Sequence, residues 1–265
     1  MASLAVAVGA HLTPNDSAAY FGLLVAAIAA FLICAAGNVV NDLFDIETDR
    51  INHPNRVLVR GGFSARFAVR MAVGLNAIAL VMALAISWLL AVVAAATIGL
   101  LYTYSWRLKR ILLVGNLTLA VLAGMTFLAG GLAVAPEAAL SLPGPLIPAV
   151  FAFLLHLVRE ILKDVQDMEG DRRPGIDSLP LAIGTSKALL AALILFFALV
   201  LASFVPVWAG WFGRTYHILT VYVLDLPLLA LLIICWGFPT PRVLAITAMA
   251  LKVGMAVGLI AFMDW

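Results

Sequence analysis

NVVNDLFDIETDR, from Asn38 to Arg50, sets Asn41, Asp42, Asp45, Glu47 and Asp49 at the end of a long apolar run. If one helix continues through it, Asn41, Asp45 and Asp49 recur every four residues and share a face. That face is a row of hard oxygen ligands. Like charges at this spacing repel, so a positive partner is expected among them, and an oxygen-only set favours magnesium or calcium over zinc. The competing reading is a solvated acidic helix end, and a second acidic cluster far along the chain weighs against it.

Outward from this stretch, composition decides the solvent. The chain is 65% hydrophobic and 11% charged, with a mean hydropathy of +1.12; an ordinary water-soluble domain is about a quarter charged. This is an all-α, polytopic membrane protein. A formal charge of +2 is too small to suggest a nucleic-acid partner. Cys34 and Cys235 both fall in apolar runs and read as small buried hydrophobes, without disulfide or metal spacing.

A membrane span needs about 20 apolar residues. On that ruler about nine segments emerge, at 1–12, 18–41, 66–85, 87–105, 115–135, 144–163, 186–208, 217–237 and 243–263, forming a single domain over residues 1–265 bundled around a central cavity. The first is short: either the chain begins partway into its first helix or the segment inserts only partially. Arg50, Arg56, Arg60 and Arg66, then Arg107, Lys109 and Arg110, then Arg159, Lys163, Arg172, Arg173 and Lys187 fall in links that share one side. The positive-inside rule places that side and the N-terminus in the cytoplasm, and the C-terminus outside.

HLVREILKDVQDMEGDRRPGIDSLP, from His156 to Pro180, is the second charged constellation. Arg159, Lys163, Asp167 and Asp171 form another four-residue ladder, with Glu160 and Asp164 on the adjoining face. Glu160 with Lys163, or Asp164 with Arg159, could be simple helix-surface pairs. Ionisable groups within a span are nevertheless costly and point to function. Both clusters sit at the same end of their spans and can converge across a bundle. Two facing carboxylate ladders with basic residues between them suit two magnesium ions and a diphosphate. At the mouth of a membrane cavity, that diphosphate carries an apolar tail, as an isoprenyl diphosphate does.

These motifs resemble the signatures of the UbiA-type intramembrane prenyltransferases. NDLFDIETDRIN with HPNRVLVRGG is similar to the first signature, through Asn41, Asp42, Asp45 and Asp49, and KDVQDMEGD to the second, through Asp167 and Asp171. Within the superfamily, GNVVNDLFDIETDRIN, YSWRLKR followed by VGN, and REILKDVQDMEGD are most similar to the archaeal geranylgeranylglycerol-phosphate geranylgeranyltransferases of ether-lipid synthesis. Two departures are visible: Val57 stands where many relatives have proline, and the usual polar and basic lead-in to the first helix is absent.

The resemblance implies a mechanism. Asn41, Asp45, Asp49, Asp167 and Asp171 would hold Mg2+, two ions being the expectation for such paired signatures, and Lys163 with Arg56 would grip the diphosphate. Asp45, Asp49, Asp167, Asp171 and Lys163 are thus the expected catalytic set. Asp42, Arg50, Tyr104, Arg159 and Asp164 complete the expected substrate contacts, with Lys109, Arg110 and Arg60 as candidates for the acceptor's phosphate. The partners implied are an isoprenyl diphosphate, a lipid-like acceptor and the bilayer. An aromatic acceptor remains the alternative, and a cation-coupled transporter the rival class. His156 is either a base or a buried histidine satisfied by a neighbouring helix. Asp225 and Lys252, both mid-span, are expected to form a buried ion pair; the alternative is that Asp225 satisfies backbone freed by Pro227.

Overall fold

The structure, a computed structural model, describes residues 1–14, 20–52, 54–171 and 177–264; the side chains of residues 51, 52 and 169–171 lie outside the described set. Helices follow the apolar runs. α1 (Ala2–His11), α2 (Tyr20–Asn52), α3 (Ala65–Ile86), α4 (Trp88–Trp106) and α5 (Val114–Val134) lead to α6 (Leu146–Asp171). The short α7 (Leu179–Ile183) turns the chain into α8 (Thr185–Trp208). A further rod is built from α9 (Arg214–His217), a π-helical stretch Ile218–Asp225 and α10 (Leu226–Gly237), and α11 (Pro241–Ala261) follows.

Among the described residues, seven helices are long and apolar enough to cross a membrane. That is two fewer than the nine expected segments, for two physical reasons. α1 has only ten residues, about half a span, and α6 carries Arg159, Glu160, Lys163, Asp164 and Asp167 along its second half. Large apolar side chains face outward along the bundle, among them Phe31, Val81, Ile194 and Met249, each at least half exposed, as a lipid solvent requires.

Side-chain caps set several boundaries. Ser64 Oγ accepts from the Phe67 N–H and Ser87 Oγ from Leu90 N–H, so Ser87 ends α3 and starts α4 within one residue. α2, α3 and α4 pack on one another, and α6, α8, α10 and α11 form the other side, with α5 touching α2, α4 and α6. α1 lies against α5 and α2. Its approach depends on glycine: a Cβ at Gly130 would stand 2.0 Å from the Val6 carbonyl oxygen, and one at Gly9 would stand 1.9 Å from that of Phe127. Gly124 likewise admits the Ala149 backbone of α6. The α5 glycines therefore serve close helix packing.

The expected Asp225–Lys252 pair is not formed. Asp225 is 2% exposed and accepts a 2.6 Å hydrogen bond from the Ser203 hydroxyl of α8, whose carbonyl in turn accepts from Tyr216. Lys252 is exposed on α11. The π-helical stretch ending at Asp225, just before Pro227, changes the face that the acid presents, and Asp225 finds a side-chain hydroxyl instead of either a lysine or freed backbone. A lysine exposed mid-span is held in lipid at a cost that its long stem only partly relieves. Lys252→Met is therefore expected to be neutral or stabilising in a thermal melt; a lowered melting temperature would restore the pair.

Candidate active site

The charged end of α2 is organised as two bridged pairs. Asn41 Nδ2 donates to Asp45 Oδ2 at 3.0 Å, one helical turn on. Lys109 Nζ, from the 3₁₀ turn Leu108–Arg110 after α4, donates to Asp45 Oδ1 at 2.5 Å and to Asn41 Oδ1 at 3.3 Å. Asp42 and Asp49, two turns apart, are joined by Arg56, whose Nη1 donates to Asp42 Oδ1 at 2.8 Å and Asp49 Oδ2 at 2.6 Å. Asp49 is only 5% exposed. The positive partners demanded by like charges on one helix are thus supplied by the chain itself.

Local backbone positions both cations. Arg56 opens a tight loop in which its carbonyl accepts from Arg60 N–H and Leu58's from Gly61 N–H, with Gly61 at φ +72°, a conformation suited to glycine. Lys109 sits on Gly115: a Cβ there would come within 2.9 Å of Lys109 Cα and 3.1 Å of the Leu108 carbonyl oxygen. Leu113, at φ 61°, makes the left-handed step that turns the chain into α5.

α6 supplies the second acidic segment. Arg159 Nη1 bonds Glu160 Oε1, and Asp164 Oδ2 accepts from Asn116 Nδ2 of α5 at 2.8 Å. Lys163 and Asp167 are exposed. Tyr104 of α4 stands between the two acidic segments, in the field of Glu160 and Asp164 from α6 and of Asp45 from α2. Asp171 ends α6, and its side chain lies outside the described residues, as do Arg172 and Arg173.

Lys109 lies on Asn41 and Asp45, while Arg60 and Arg110 are exposed, as is Arg50. Glu160 pairs with Arg159, not with Lys163. His156 satisfies its Nδ1 on the Ala152 carbonyl of its own helix at 2.9 Å, not on a neighbouring one. Asn116 and Gly115 were not singled out from sequence; their signal is the VGN that follows YSWRLKR, legible only once the turn at Lys109 is known to press on it.

The donor set fits a hard divalent cation. Asn41, Asp45 and Asp49 offer only oxygen, and the two carboxylates already draw Lys109 and Arg56 onto themselves. Among the described residues no three His, Cys, Asp or Glu side chains enclose a single point.

Two apolar cavities lie within the bundle, and one of them reaches the site. One, of about 380 Å3, lies between α2, α4 and α5, with Asn38, Asn41, Tyr104 and Ser105 at its charged end. The other, of about 250 Å3, lies between α5, α6, α8, the π-helical stretch and α11, with His156, Thr220 and Asp225 on its wall. Both are lined in part by Ala2 and Thr126, so α5 separates them and Thr126 faces each.

The model of the UbiA prenyltransferase family matches residues 2–243. The chain belongs to that family. The match runs from α1 into α11 and takes in both acidic segments. A digeranylgeranylglyceryl phosphate synthase from Methanopyrus kandleri is 37% identical over 268 residues, which is 99% of this chain and 93% of that protein. A solved digeranylgeranylglyceryl phosphate synthase superposes with a TM-score of 0.79 at 32% identity, covering 99% of this chain and 91% of the other. A UbiA homolog from Archaeoglobus fulgidus bound to DMAPP and Mg2+ shares the fold, with a TM-score of 0.64 at 20% identity over 98% and 93% of the two chains. In this UbiA-family chain the paired segments at Asn41–Asp49 and Asp164–Asp171 sit at one end of the bundle, above cavities made of lipid-like side chains.

Proposed function

We propose that this UbiA-family chain transfers a geranylgeranyl group from geranylgeranyl diphosphate to the sn-2 hydroxyl of geranylgeranylglyceryl phosphate, in ether-lipid synthesis, with Mg2+ required. One observation carries the acceptor assignment. The reaction joins two twenty-carbon chains, one on each substrate, and the bundle holds two apolar cavities separated only by α5 and sharing Thr126 and Ala2. A small aromatic acceptor needs no second cavity of that kind. The names of the relatives point the same way.

In this reading Asn41, Asp45 and Asp49 of α2, with Asp167 and Asp171 of α6, would hold two Mg2+ ions. When bound, Mg2+ neutralises the charge that grows on the diphosphate as it departs. Arg56, Lys109 and Lys163 carry the positive charge that holds the diphosphate oxygens, arginine by its fork and lysine as a point charge. Breaking the carbon–oxygen bond leaves the electron pair on diphosphate and an allylic cation at carbon one. The apolar walls keep water from that cation. Attack by the acceptor hydroxyl forms the ether bond, and its proton passes to the released diphosphate. Arg60 and Arg110, exposed beside the mouth, are the cations left for the acceptor's phosphate. The charged end faces the cytoplasm.

The assignment is tested by incubating the purified chain in bilayer discs with labelled geranylgeranyl diphosphate, Mg2+ and either geranylgeranylglyceryl phosphate or hydroxybenzoate. The expected product forms with the glycerol phosphate and vanishes on chelation. Product with the aromatic acceptor only would overturn the reading.

A further inference from the structure

Resting on the prenyl-transfer reading, we infer that Asn116 is a positioning residue for the reaction: it aims the Asp164 carboxylate of α6 from the same short stretch that carries Lys109. That stretch, residues 107–116 between α4 and α5, registers the two acidic segments against each other. Toward α2, Lys109 Nζ donates to Asp45 Oδ1 at 2.5 Å and to Asn41 Oδ1 at 3.3 Å. Toward α6, Asn116 Nδ2 donates to Asp164 Oδ2 at 2.8 Å, and the Arg110 carbonyl accepts from the Asp177 N–H at 3.1 Å, in the link after α6. The two side chains cannot shift independently, because the stretch closes on Gly115: a Cβ there would stand 2.9 Å from Lys109 Cα and 3.1 Å from the Leu108 carbonyl oxygen. Asn116 is the next residue.

Helical register shows what Asp164 is aimed at. It stands one turn after Glu160 and just under one turn before Asp167, so the three acids share a face of α6. Tyr104 of α4 lies in the field of Glu160, Asp164 and Asp45 together. Beside that face, Ile161, Leu162 and Val165 are buried in the core. Their packing fixes the rotation of α6 but not the side-chain torsions of a half-buried carboxylate at its edge. Asn116 fixes those. It does so with an amide, which holds a carboxylate oxygen without bringing a positive charge to it, whereas Asp45 and Asp49 of α2 are held by Lys109 and Arg56. A carboxylate oriented in advance needs no reorganisation when charge develops beside it. Packing alone does not call for this contact, since α5 already meets α6 at Gly124, where a Cβ would stand 2.9 Å from the Ala149 carbonyl oxygen.

The test uses the full chain in bilayer discs with Mg2+, labelled geranylgeranyl diphosphate and geranylgeranylglyceryl phosphate. Asn116→Ala is expected to lower kcat about 10- to 100-fold, the range for a residue that orients a ligand, while the donor KM and the melting temperature move little. Asp164→Ala is expected to be the more severe. Adding Asn116→Ala to it should cost almost nothing further, because the carboxylate through which Asn116 acts is already gone. The exchange of Asn116→Asp with Asp164→Asn keeps a hydrogen bond between α5 and α6 with donor and acceptor reversed. Its melting temperature is expected to match the unmodified chain while kcat stays low, since the charge then stands on the wrong helix.

Full turnover by a folded Asn116→Ala chain, losses that multiply with those of Asp164→Ala, or an exchange variant that regains turnover along with stability would each reduce the contact to packing and overturn the inference. If Asn116→Ala does not fold, the exchange variant decides, and failure of both to fold also makes the contact structural only. A wild-type chain that transfers no prenyl group to any acceptor overturns the functional reading beneath it instead.

Discussion

Asp45→Ala is expected to lower the rate of prenyl transfer by about three orders of magnitude, or about 4 kcal/mol of transition-state stabilisation. Asp45 is the residue where the acidic row and the Lys109 cation meet, one turn beyond Asn41, which lines the cavity between α2, α4 and α5. Its removal takes away one carboxylate of the proposed cation-holding set and leaves Lys109 without its 2.5 Å partner. Asp45→Asn separates the two losses, because the amide still reaches Asn41 and Lys109 but carries no charge. Initial rates with labelled geranylgeranyl diphosphate at saturating Mg2+ read the effect. If charge is what counts, Asp45→Asn fails nearly as badly as Asp45→Ala; near-wild-type turnover of either variant would remove Asp45 from the site.

Arg56→Met is the second large effect, on stability and donor affinity together. A single nitrogen, Nη1, serves both Asp42 and Asp49, so its loss leaves two carboxylates uncompensated. Asp49 is almost buried but Asp42 and Arg56 are well exposed, which puts the cost at about 2 kcal/mol, between that of exposed and fully buried pairs. The same substitution removes a proposed diphosphate contact, and KM for the donor is expected to rise at least tenfold. Arg56→Lys tells the roles apart. An ammonium can bridge two carboxylates but lacks the arginine fork, so the melting temperature should recover while KM does not. Recovery of both would make Arg56 structural only.

The helices and both acidic segments were legible because an apolar run of span length has few alternatives in lipid. The ends of α3 and α4 fall where Ser64, Ser87 and the charged runs at Arg66 and Arg107 place them. What the sequence could not disclose is pairing across distance. Arg56 lies fourteen residues from Asp42, and Lys109 sixty-four from Asp45; no periodicity links them, and each basic residue had a sufficient reason to be there in topology alone. Asp225 was misassigned for a related reason. Equal depth in adjacent helices suggested Lys252, but the π-helical stretch rotates the acid toward Ser203. Nor does a glycine in an apolar run disclose what approaches it: the Val6 carbonyl against Gly130 is a contact between distant parts of the chain.

The doubly bridged acidic row of α2 has a consequence for selectivity. Arg56 and Lys109 cannot turn toward an anion without stripping Asp42, Asp45 and Asp49 of their countercharge, and a divalent cation cannot take those carboxylates without displacing the two basic side chains. Each arrival is therefore unfavourable on its own and favourable in company, which is reciprocal coupling between two ligands. On the proposed site the α2 row would work as an electrical interlock: Arg56 and Lys109 already have carboxylate partners, so stray phosphate or stray metal must break an ion pair, and only the two together avoid that loss. Arg56→Met breaks one half of that interlock, so the donor titration that measures its KM, repeated across metal concentrations, should show a weaker dependence of donor affinity on metal than the unmodified chain does.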